Sequence, residues 1–152
     1  ERVGIPVFHD GQHGTAIVVA AAFMNALFLT GRKFEDIKVV STGAGAAGIA
    51  CLDMLLKLGV QRANVSIFDR SGLVHQGRND LNAEKAAYAR PKDADSIEEA
   101  LKGADLFLGL SSEDHASLPP AVVAEQLIHA GRSDTAGISQ INGVRDWFAQ
   151  AW

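Results

Sequence analysis

The sequence predicts an α/β fold in which a mainly parallel, doubly wound sheet carries helices on both faces. Short apolar runs typical of buried strands alternate with helical patterns along the chain. The first of these runs leads into a Gly-x-Gly-x-x-Gly turn that opens a helix, and the second ends in an acidic residue. Strands that alternate with helices favour right-handed crossovers and a parallel sheet. Together these features indicate a Rossmann-like fold, here in truncated form.

Composition places the chain among ordinary globular proteins. Its 152 residues suffice for one domain, 1–152, in which 47% are hydrophobic and 21% are charged. The net charge of −4 argues against nucleic acid as a partner. The single cysteine, Cys51, lies on the helix after the glycine turn, where it is predicted to pack as a small hydrophobic side chain rather than to react. A reducing, cytoplasmic setting fits this composition.

The glycine turn is the strongest functional signal in the chain. Gly43 would allow a tight turn, Gly45 would let the backbone approach a diphosphate, and Gly48 would let the new helix lie close to its strand. Free amides at the start of that helix would face the anion. The alternative is that the small residues serve packing alone. The predicted cofactor-binding residues of the turn are Gly43, Ala44, Gly45, Ala46, Ala47 and Gly48.

A second strand at residues 64–69 ends in Asp69, about twenty residues beyond the turn. A carboxylate at that distance is suited to accept hydrogen bonds from the hydroxyls of an adenosine ribose. Arg70 follows it directly and would suit a phosphate on the same ribose. The sequence therefore predicts a dinucleotide site but leaves its cofactor open.

The most apolar run, residues 16–29, is predicted to form a helix that is buried on most sides and ends at Gly31. Fourteen residues span about 21 Å, less than the roughly 30 Å of a bilayer core, so a membrane partner is not expected. The polar residues 9–15 directly before it are placed to line a site. Thr15 has two open interpretations, as a helix N-cap or as a site residue.

The remaining elements follow from local signals. Further strands are predicted at residues 37–42 and 105–110, and a small hairpin at residues 70–78. Helices are predicted at residues 49–58, where Gly59 ends the helix, at residues 81–89 with Asn82 as cap, and after a Ser96 to Glu99 capping box. Tyr88 and Lys85 fall on a helix expected to be exposed. Further on, a helix is expected at residues 119–129, and Trp147, Phe148 and Trp152 as a packing face.

Several motifs, taken in order, resemble the nucleotide-binding half of malic enzymes, especially the bacterial NADP-type branch. They are residues 5–16, 41–50, 68–72, 76–78 and 104–111. The resemblance covers about residues 4–112 and implies oxidative decarboxylation of (S)-malate to pyruvate and carbon dioxide. It implies NAD or NADP as hydride acceptor and a Mg or Mn ion in the complete enzyme. It assigns Thr15, Asp69 and Arg70, together with the glycine turn, to the cofactor.

The departures from the family pattern are equally informative. The family loop carries two adjacent acids, and here the second position, a metal ligand in the family, is Gly11. Asp10 matches the first acid and is the remaining candidate metal ligand. His9 and His13 have a spacing that could suit a metal, but the glycine between them argues against an ordered pair. Asn142 matches a substrate-contacting asparagine of the family, within a divergent tail at residues 113–152.

The resemblance places the catalytic tyrosine and lysine upstream of residue 1, so no catalytic residue is assigned here. Three hypotheses follow. The chain is the nucleotide-binding part of a malic enzyme that needs an N-terminal catalytic half, or it is a regulatory dinucleotide-binding module that has lost its metal site. In the third, its altered tail leaves a sheet edge uncovered and no stable site forms. A homo-oligomer is the family default.

Overall fold

The computed structural model describes residues 8–110, which form a four-stranded sheet with helices on both of its faces. The helices are α1 (Thr15–Thr30), α2 (Ala46–Leu58), α3 (Ala83–Ala86) and α4 (Ile97–Leu101). The strands are β1 (Val39–Thr42), β2 (Val65–Asp69), β3 (Gly72–Leu73) and β4 (Leu106–Gly109). A π-helical turn, Asp10–Gly14, runs directly into α1, and two 3₁₀ turns, Phe34–Asp36 and Arg62–Asn64, precede β1 and β2.

The strand order is β3-β2-β1-β4. β1 pairs in parallel with both β2 and β4, whereas β3 returns antiparallel to β2. In this register Thr42 lies opposite Phe68 on one side and Gly109 on the other. The three parallel strands therefore end level at one edge. β2 and β4 lie on opposite sides of β1, which makes the β1–β4 boundary the topological switch point of the sheet.

Two cores cover the two faces of the sheet. One packs α1 and α2 on alternate side chains of the parallel strands, and its fully buried members include Val39, Leu52 and Leu55. The other packs α4 on the opposite face against Val40 and Phe68. Alternation of side chains along β1 sends Val39 to one core and Val40 to the other, as a sheet covered on both faces requires. The predicted fold class is confirmed.

α2 is a compact sheet-facing helix. Cys51, Leu52 and Leu55 are fully buried, and the helix ends at Gly59, whose φ of 118° is the left-handed C-cap expected from the sequence. Burial raises the pKa of Cys51 to about 11, so the thiol is protonated at neutral pH. The interpretation of Cys51 as a packed hydrophobic side chain fits this environment.

α1 differs from its prediction in one respect. It ends at Gly31, with φ of 67°, as expected. Only one face of the helix is buried, and it consists of Ala16, Ala20, Phe23 and Leu27. The other side, called here the outer face of α1, consists of Ile17, Val18, Met24, Phe28 and Leu29, all at least 47% exposed. The prediction that α1 is buried on most sides is therefore wrong. Because the helix is apolar all round, its sequence does not reveal which side is covered.

The helical run is also longer than the fourteen residues considered in the sequence. The π-helical turn and α1 together form a continuous run, Asp10–Thr30, of 21 residues. By length and apolar composition alone this run would be able to cross a membrane, and 22% of its most apolar window is buried within the fold. The same length and composition also fit a core helix of a soluble protein.

The short elements after β2 agree in kind but differ in extent and burial. The hairpin forms through β3, and α3 is capped by Asn82, whose side chain accepts a hydrogen bond of 2.9 Å from the Lys85 amide. The prediction that this region is exposed is wrong for Tyr88, which is 4% exposed. Ser96 caps α4 through the Glu99 amide. The features expected at residues 119–129, and at Trp147, Phe148 and Trp152, lie outside the described residues.

Candidate functional site

The glycine turn joins the carboxyl end of β1 to the start of α2. Gly43 has φ of 96°, in the left-handed region where a side chain is strained. A Cβ on Gly48 would collide with the carbonyl oxygen of Gly43, so the first turn of α2 lies closer to β1 than any side chain would permit. Gly45 is different, since a Cβ there would meet nothing within 4 Å and would project into open space.

The first amides of α2 are not capped within the described part of the chain. Gly45 is the N-cap of this 13-residue helix, and no side chain caps it. The first amide to bond inward is that of Ile49, which donates to the carbonyl oxygen of Gly45 at 3.0 Å. Within residues 8–110 the amides of Ala46, Ala47 and Gly48 have no backbone or side-chain acceptor. Unpaired amides and the positive end of the helix dipole suit an anion such as a diphosphate.

Asp69 lies at the carboxyl end of β2 and is held by cations of the chain itself. Its Oδ1 accepts a 2.8 Å bond from Arg78 and a 3.0 Å bond from the Ser71 amide. Its Oδ2 accepts from Arg78 at 3.1 Å and from Lys85 Nζ at 2.7 Å. Four donors fill the four lone-pair positions of a carboxylate. In this structure, a ribose hydroxyl would have to displace one of them in order to bind Asp69.

The charges around Asp69 are strongly coupled. Burial acts to raise the pKa of Asp69, but the hydrogen bonds from Arg78, Lys85 and the Ser71 amide outweigh it and lower the pKa to about 2. Arg78 also pairs with Asp80, and these hydrogen bonds raise the pKa of Arg78. Arg78 and Lys85 together balance Asp69 and Asp80. Asp69 is therefore a paired carboxylate and not a bare one.

Thr15 and Arg70 complete the set predicted to bind the cofactor. Thr15 is the first residue of α1 rather than its N-cap, which is Gly14, and its hydroxyl donates to the Gly11 carbonyl at 3.3 Å. The N-cap interpretation of Thr15 is therefore wrong. The π-helical turn that precedes Thr15 packs against α2. Arg70 is exposed in the turn between β2 and β3, one residue beyond Asp69.

The candidate metal ligand Asp10 is exposed in the π-helical turn. His13 does not face His9 as a second metal ligand would, because its Nδ1 accepts a 2.9 Å hydrogen bond from the His9 amide. Over residues 8–110 no group of three or more His, Cys, Asp or Glu side chains could hold a metal ion. Asn142, the candidate substrate contact, lies outside the described residues.

Sequence reasoning assigned no role to three side chains that organise this region. Arg78 and Lys85 reach Asp69 from 9 and 16 residues away. Tyr88 donates a 2.5 Å hydrogen bond to Asp53 on α2, and the Arg62 guanidinium lies 4.6 Å from its ring centre. Burial and the Asp53 carboxylate raise the pKa of Tyr88. The signal available in the sequence was a basic residue, Arg78, close enough along the chain to Asp69 for the chain to fold back and pair them.

A separate cleft of about 370 Å³ lies between the start of α1 and α2. It is lined by Phe8, His13, Ala16, Ile17, Ala50, Asp53, Met54 and Lys57. Neither the glycine turn nor Asp69 borders it. The cleft is therefore separate from the residues predicted to bind the diphosphate and the ribose.

Comparison with known proteins agrees with the geometry. A family model described as malic enzyme, NAD binding domain, matches residues 12–116. An NADP-dependent malic enzyme of Halomonas elongata is 49% identical over 111 residues, covering 73% of this chain and 26% of the relative. An NAD-dependent malic enzyme of Rhizobium meliloti is 50% identical over 113 residues, covering 74% of this chain and 15% of the relative.

Solved structures give the same result. The malic enzyme of Entamoeba histolytica has a TM-score of 0.73 at 30% identity, covering 83% of this chain and 27% of that one. The NAD-dependent malic enzyme of Thermotoga maritima has a TM-score of 0.66 at 38% identity, covering 88% and 43%. The chain thus spans less than half the length of each of these proteins. Because the family model matches more than half of its residues, the chain belongs to the malic enzyme family, whose NAD-binding domain it contains.

Proposed function

We propose that the chain grips the diphosphate of NAD(P)+ with the amides of Ala46, Ala47 and Gly48, as the cofactor-binding part of a longer malic enzyme. The observation that supports this proposal is the set of unpaired amides at the start of α2, held against β1 by the contact between Gly48 and Gly43. The longer protein would carry out oxidative decarboxylation of (S)-malate to pyruvate and carbon dioxide, and the bound nicotinamide would supply the hydride acceptor.

The work of this chain is binding and orientation. Gly45 leaves room for the diphosphate to approach the backbone, while Gly43 and Gly48 fix the distance between strand and helix. The amides and the helix dipole offset the negative charge of the diphosphate. The acid, the base and most of the metal ligands would come from the N-terminal catalytic half, which is the proposed partner of this domain.

The metal ion of the complete enzyme has no matching donor set in the described residues. Gly11 offers no side-chain ligand, and Asp10 has no second acid or histidine arranged with it in a group of three. The described residues therefore do not by themselves form a site for Mg or Mn.

The choice between NAD+ and NADP+ depends on the end of β2. A bare Asp69 would repel the 2′-phosphate of NADP+, but Arg78 and Lys85 neutralise it. Asp80 balances the remaining positive charge through Arg78. We therefore propose that the domain accepts both cofactors, with affinities within about tenfold of each other, since Asp69 presents no unpaired negative charge to repel the 2′-phosphate.

The test is a titration of the purified chain with NAD+ and with NADP+ while its thermal unfolding is followed. A ligand at one hundred times its Kd should stabilise the fold by about 2.7 kcal/mol. Gly45→Val should abolish the shift, because a Cβ at this position meets no protein atom and occupies the space of the diphosphate. Gly11→Ala is the matched control, since its Cβ makes only an ordinary 3.4 Å contact with His9 outside the turn.

Absence of a shift in the wild-type chain with either nucleotide would overturn the proposal and favour the third hypothesis, that no stable site forms. An undiminished shift in Gly45→Val would move the binding site away from the glycine turn. With malate, Mn²⁺ and either nucleotide, the chain alone should yield no reduced cofactor at 340 nm. Clear turnover would contradict the dependence on an N-terminal half.

A second candidate is a regulatory dinucleotide-binding module without chemistry of its own. Gly11 in place of the family's metal-binding acid favours it. The deciding experiment introduces Gly11→Asp into a protein that includes the N-terminal half, where a Cβ at residue 11 is tolerated. Malate- and metal-dependent reduction that appears only with the restored acid supports a malic enzyme fold with a lost metal ligand. Inactivity of both forms supports the regulatory module.

A further inference from the structure

Two hydroxyl groups on β1 are buried without a hydrogen-bond partner. Ser41 and Thr42 are both 0% exposed, and within residues 8–110 neither Ser41 Oγ nor Thr42 Oγ1 meets a donor or acceptor. Leaving such a group unpaired in the interior is destabilising. Every buried polar group of this kind calls for an explanation in terms of structure or ligand.

The two hydroxyls point to opposite faces of the sheet. Alternation along β1 places Ser41 with Val39 on the face covered by α1 and α2, and Thr42 with Val40 on the face covered by α4. Ser41 is an interior residue of β1. Thr42 is the last residue of β1 and is directly followed by Gly43, where the glycine turn begins.

The position of Thr42 coincides with the switch point of the sheet. Its partner across the β1–β4 boundary is Gly109, which is exposed and carries no side chain. A Cβ placed on Gly109 would lie 3.9 Å from Thr42 Oγ1. The Thr42 hydroxyl therefore lies beside the side-chain-free surface of Gly109, where no Cβ separates it from the crevice between the two strand ends. Ligands of open α/β sheets bind in this crevice.

We propose that Thr42 Oγ1 donates a hydrogen bond to an oxygen of the bound dinucleotide, at or next to its diphosphate, in the crevice between the ends of β1 and β4. The inference rests on the proposed function and adds a side-chain contact to a site otherwise built from backbone. A hydroxyl donor suits this role because it turns freely to meet an anionic oxygen. Thr42 pays the cost of an unpaired hydroxyl in the ligand-free chain and recovers it on binding.

The test compares nucleotide affinity in three variants by isothermal titration calorimetry. Thr42→Val keeps the shape and removes the hydroxyl, and we expect it to weaken NAD(P)+ binding about tenfold. The same change should raise the Tm of the ligand-free chain by about 2–4 °C, since it removes a buried unpaired group. Thr42→Ser keeps the hydroxyl and should bind within about threefold of the wild-type chain.

Ser41→Ala is the matched control, because it removes the other unpaired hydroxyl of β1 on the face away from the proposed contact. It should leave nucleotide affinity unchanged. Wild-type affinity in Thr42→Val, or an equal loss in Ser41→Ala and Thr42→Val, would overturn the inference and leave the proposed function intact. Failure of the wild-type chain to bind either nucleotide would overturn both.

Discussion

α1 and α2 are neighbouring helices with similar composition and different surroundings. Both are rich in Ala and Leu, and each ends at a glycine in the left-handed region. α2 buries its apolar side chains against the sheet and turns Asp53 and Lys57 outward. α1 buries four residues and exposes an apolar outer face on which Phe28 and Leu29 are 85% and 81% exposed. An apolar composition therefore did not determine burial in this chain.

The comparison teaches where the stability of the domain resides. α2 is completed by contacts inside residues 8–110, and its N-terminus forms the candidate nucleotide site. The outer face of α1 contributes little to the described fold because its side chains meet water. Exposed apolar patches of this kind mark sites that bind other proteins or membranes.

The largest effect is expected in the core of α2. Leu52 is fully buried between helix and sheet, so Leu52→Ala should lower the free energy of unfolding by about 2–5 kcal/mol. Chemical denaturation followed by circular dichroism measures this change. A loss below about 1 kcal/mol would show that α2 is not the anchor that the comparison assumes.

The end of α1 has its own anchor, which should be the second largest contribution. Arg32, just beyond α1, pairs at 2.5 Å with Asp105, and the Asp105 carboxylate also accepts a 2.8 Å bond from the Lys38 amide. Asp105→Ala should cost about 2–3 kcal/mol, because it removes hydrogen bonds to a charged group that is nearly buried. Lys33→Ala is the control, since the Lys33–Glu35 pair is exposed and worth little. Equal effects of the two changes would contradict this account.

A pH titration should distinguish the contribution of Asp69, at the end of β2, to stability from the contributions of α1 and α2. The pKa of Asp69 is lowered to about 2 in the fold, below its value in the unfolded chain. Its stabilising contribution is therefore complete above about pH 4 and is lost as the pH falls toward 2. The difference in stability between the wild-type chain and Asp69→Asn should shrink over that interval. A difference that stays constant from pH 5 to pH 2 would show that Asp69 does not change its charge with the fold.

The smallest effect is expected on the outer face of α1. Phe28→Gln with Leu29→Gln should change the free energy of unfolding by no more than about 0.5 kcal/mol, since both side chains are already exposed. Sedimentation velocity on the same variant tests the homo-oligomer that the family resemblance implies. If copies of the chain meet through this face, the double substitution should lower the association of the chain at micromolar concentration. A loss of stability comparable to that of Leu52→Ala would mean that the face is buried in solution.

The sequence was sufficient for the elements that carry local signals. The glycine turn, the glycine ends of the helices at Gly31 and Gly59, and the Asn82 and Ser96 caps were all predicted from residues next to each other in the chain. Such features depend on backbone conformation and nearby hydrogen bonds, which a local pattern specifies.

The features that sequence reasoning missed depend on contacts between distant residues. Tyr88 is on a short segment with no clear periodicity, and its burial follows from Asp53 and Arg62, which lie 35 and 26 residues away. The four donors on Asp69 come from a fold that brings α3 and the hairpin to the end of β2. The sequence also did not predict which side of α1 is buried, because a helix that is apolar all round has no amphipathic signal.

The collision that any Cβ on Gly48 would make with the Gly43 carbonyl sets a limit on variation in this domain. A saturation library at position 48 should return glycine almost alone, even when the rest of the helix tolerates exchange of one aliphatic residue for another. A single added methyl group would push the helix off its strand and tilt its amides away from the sheet edge. Thus one missing methyl group at residue 48 keeps the geometry of the whole helix entrance in place.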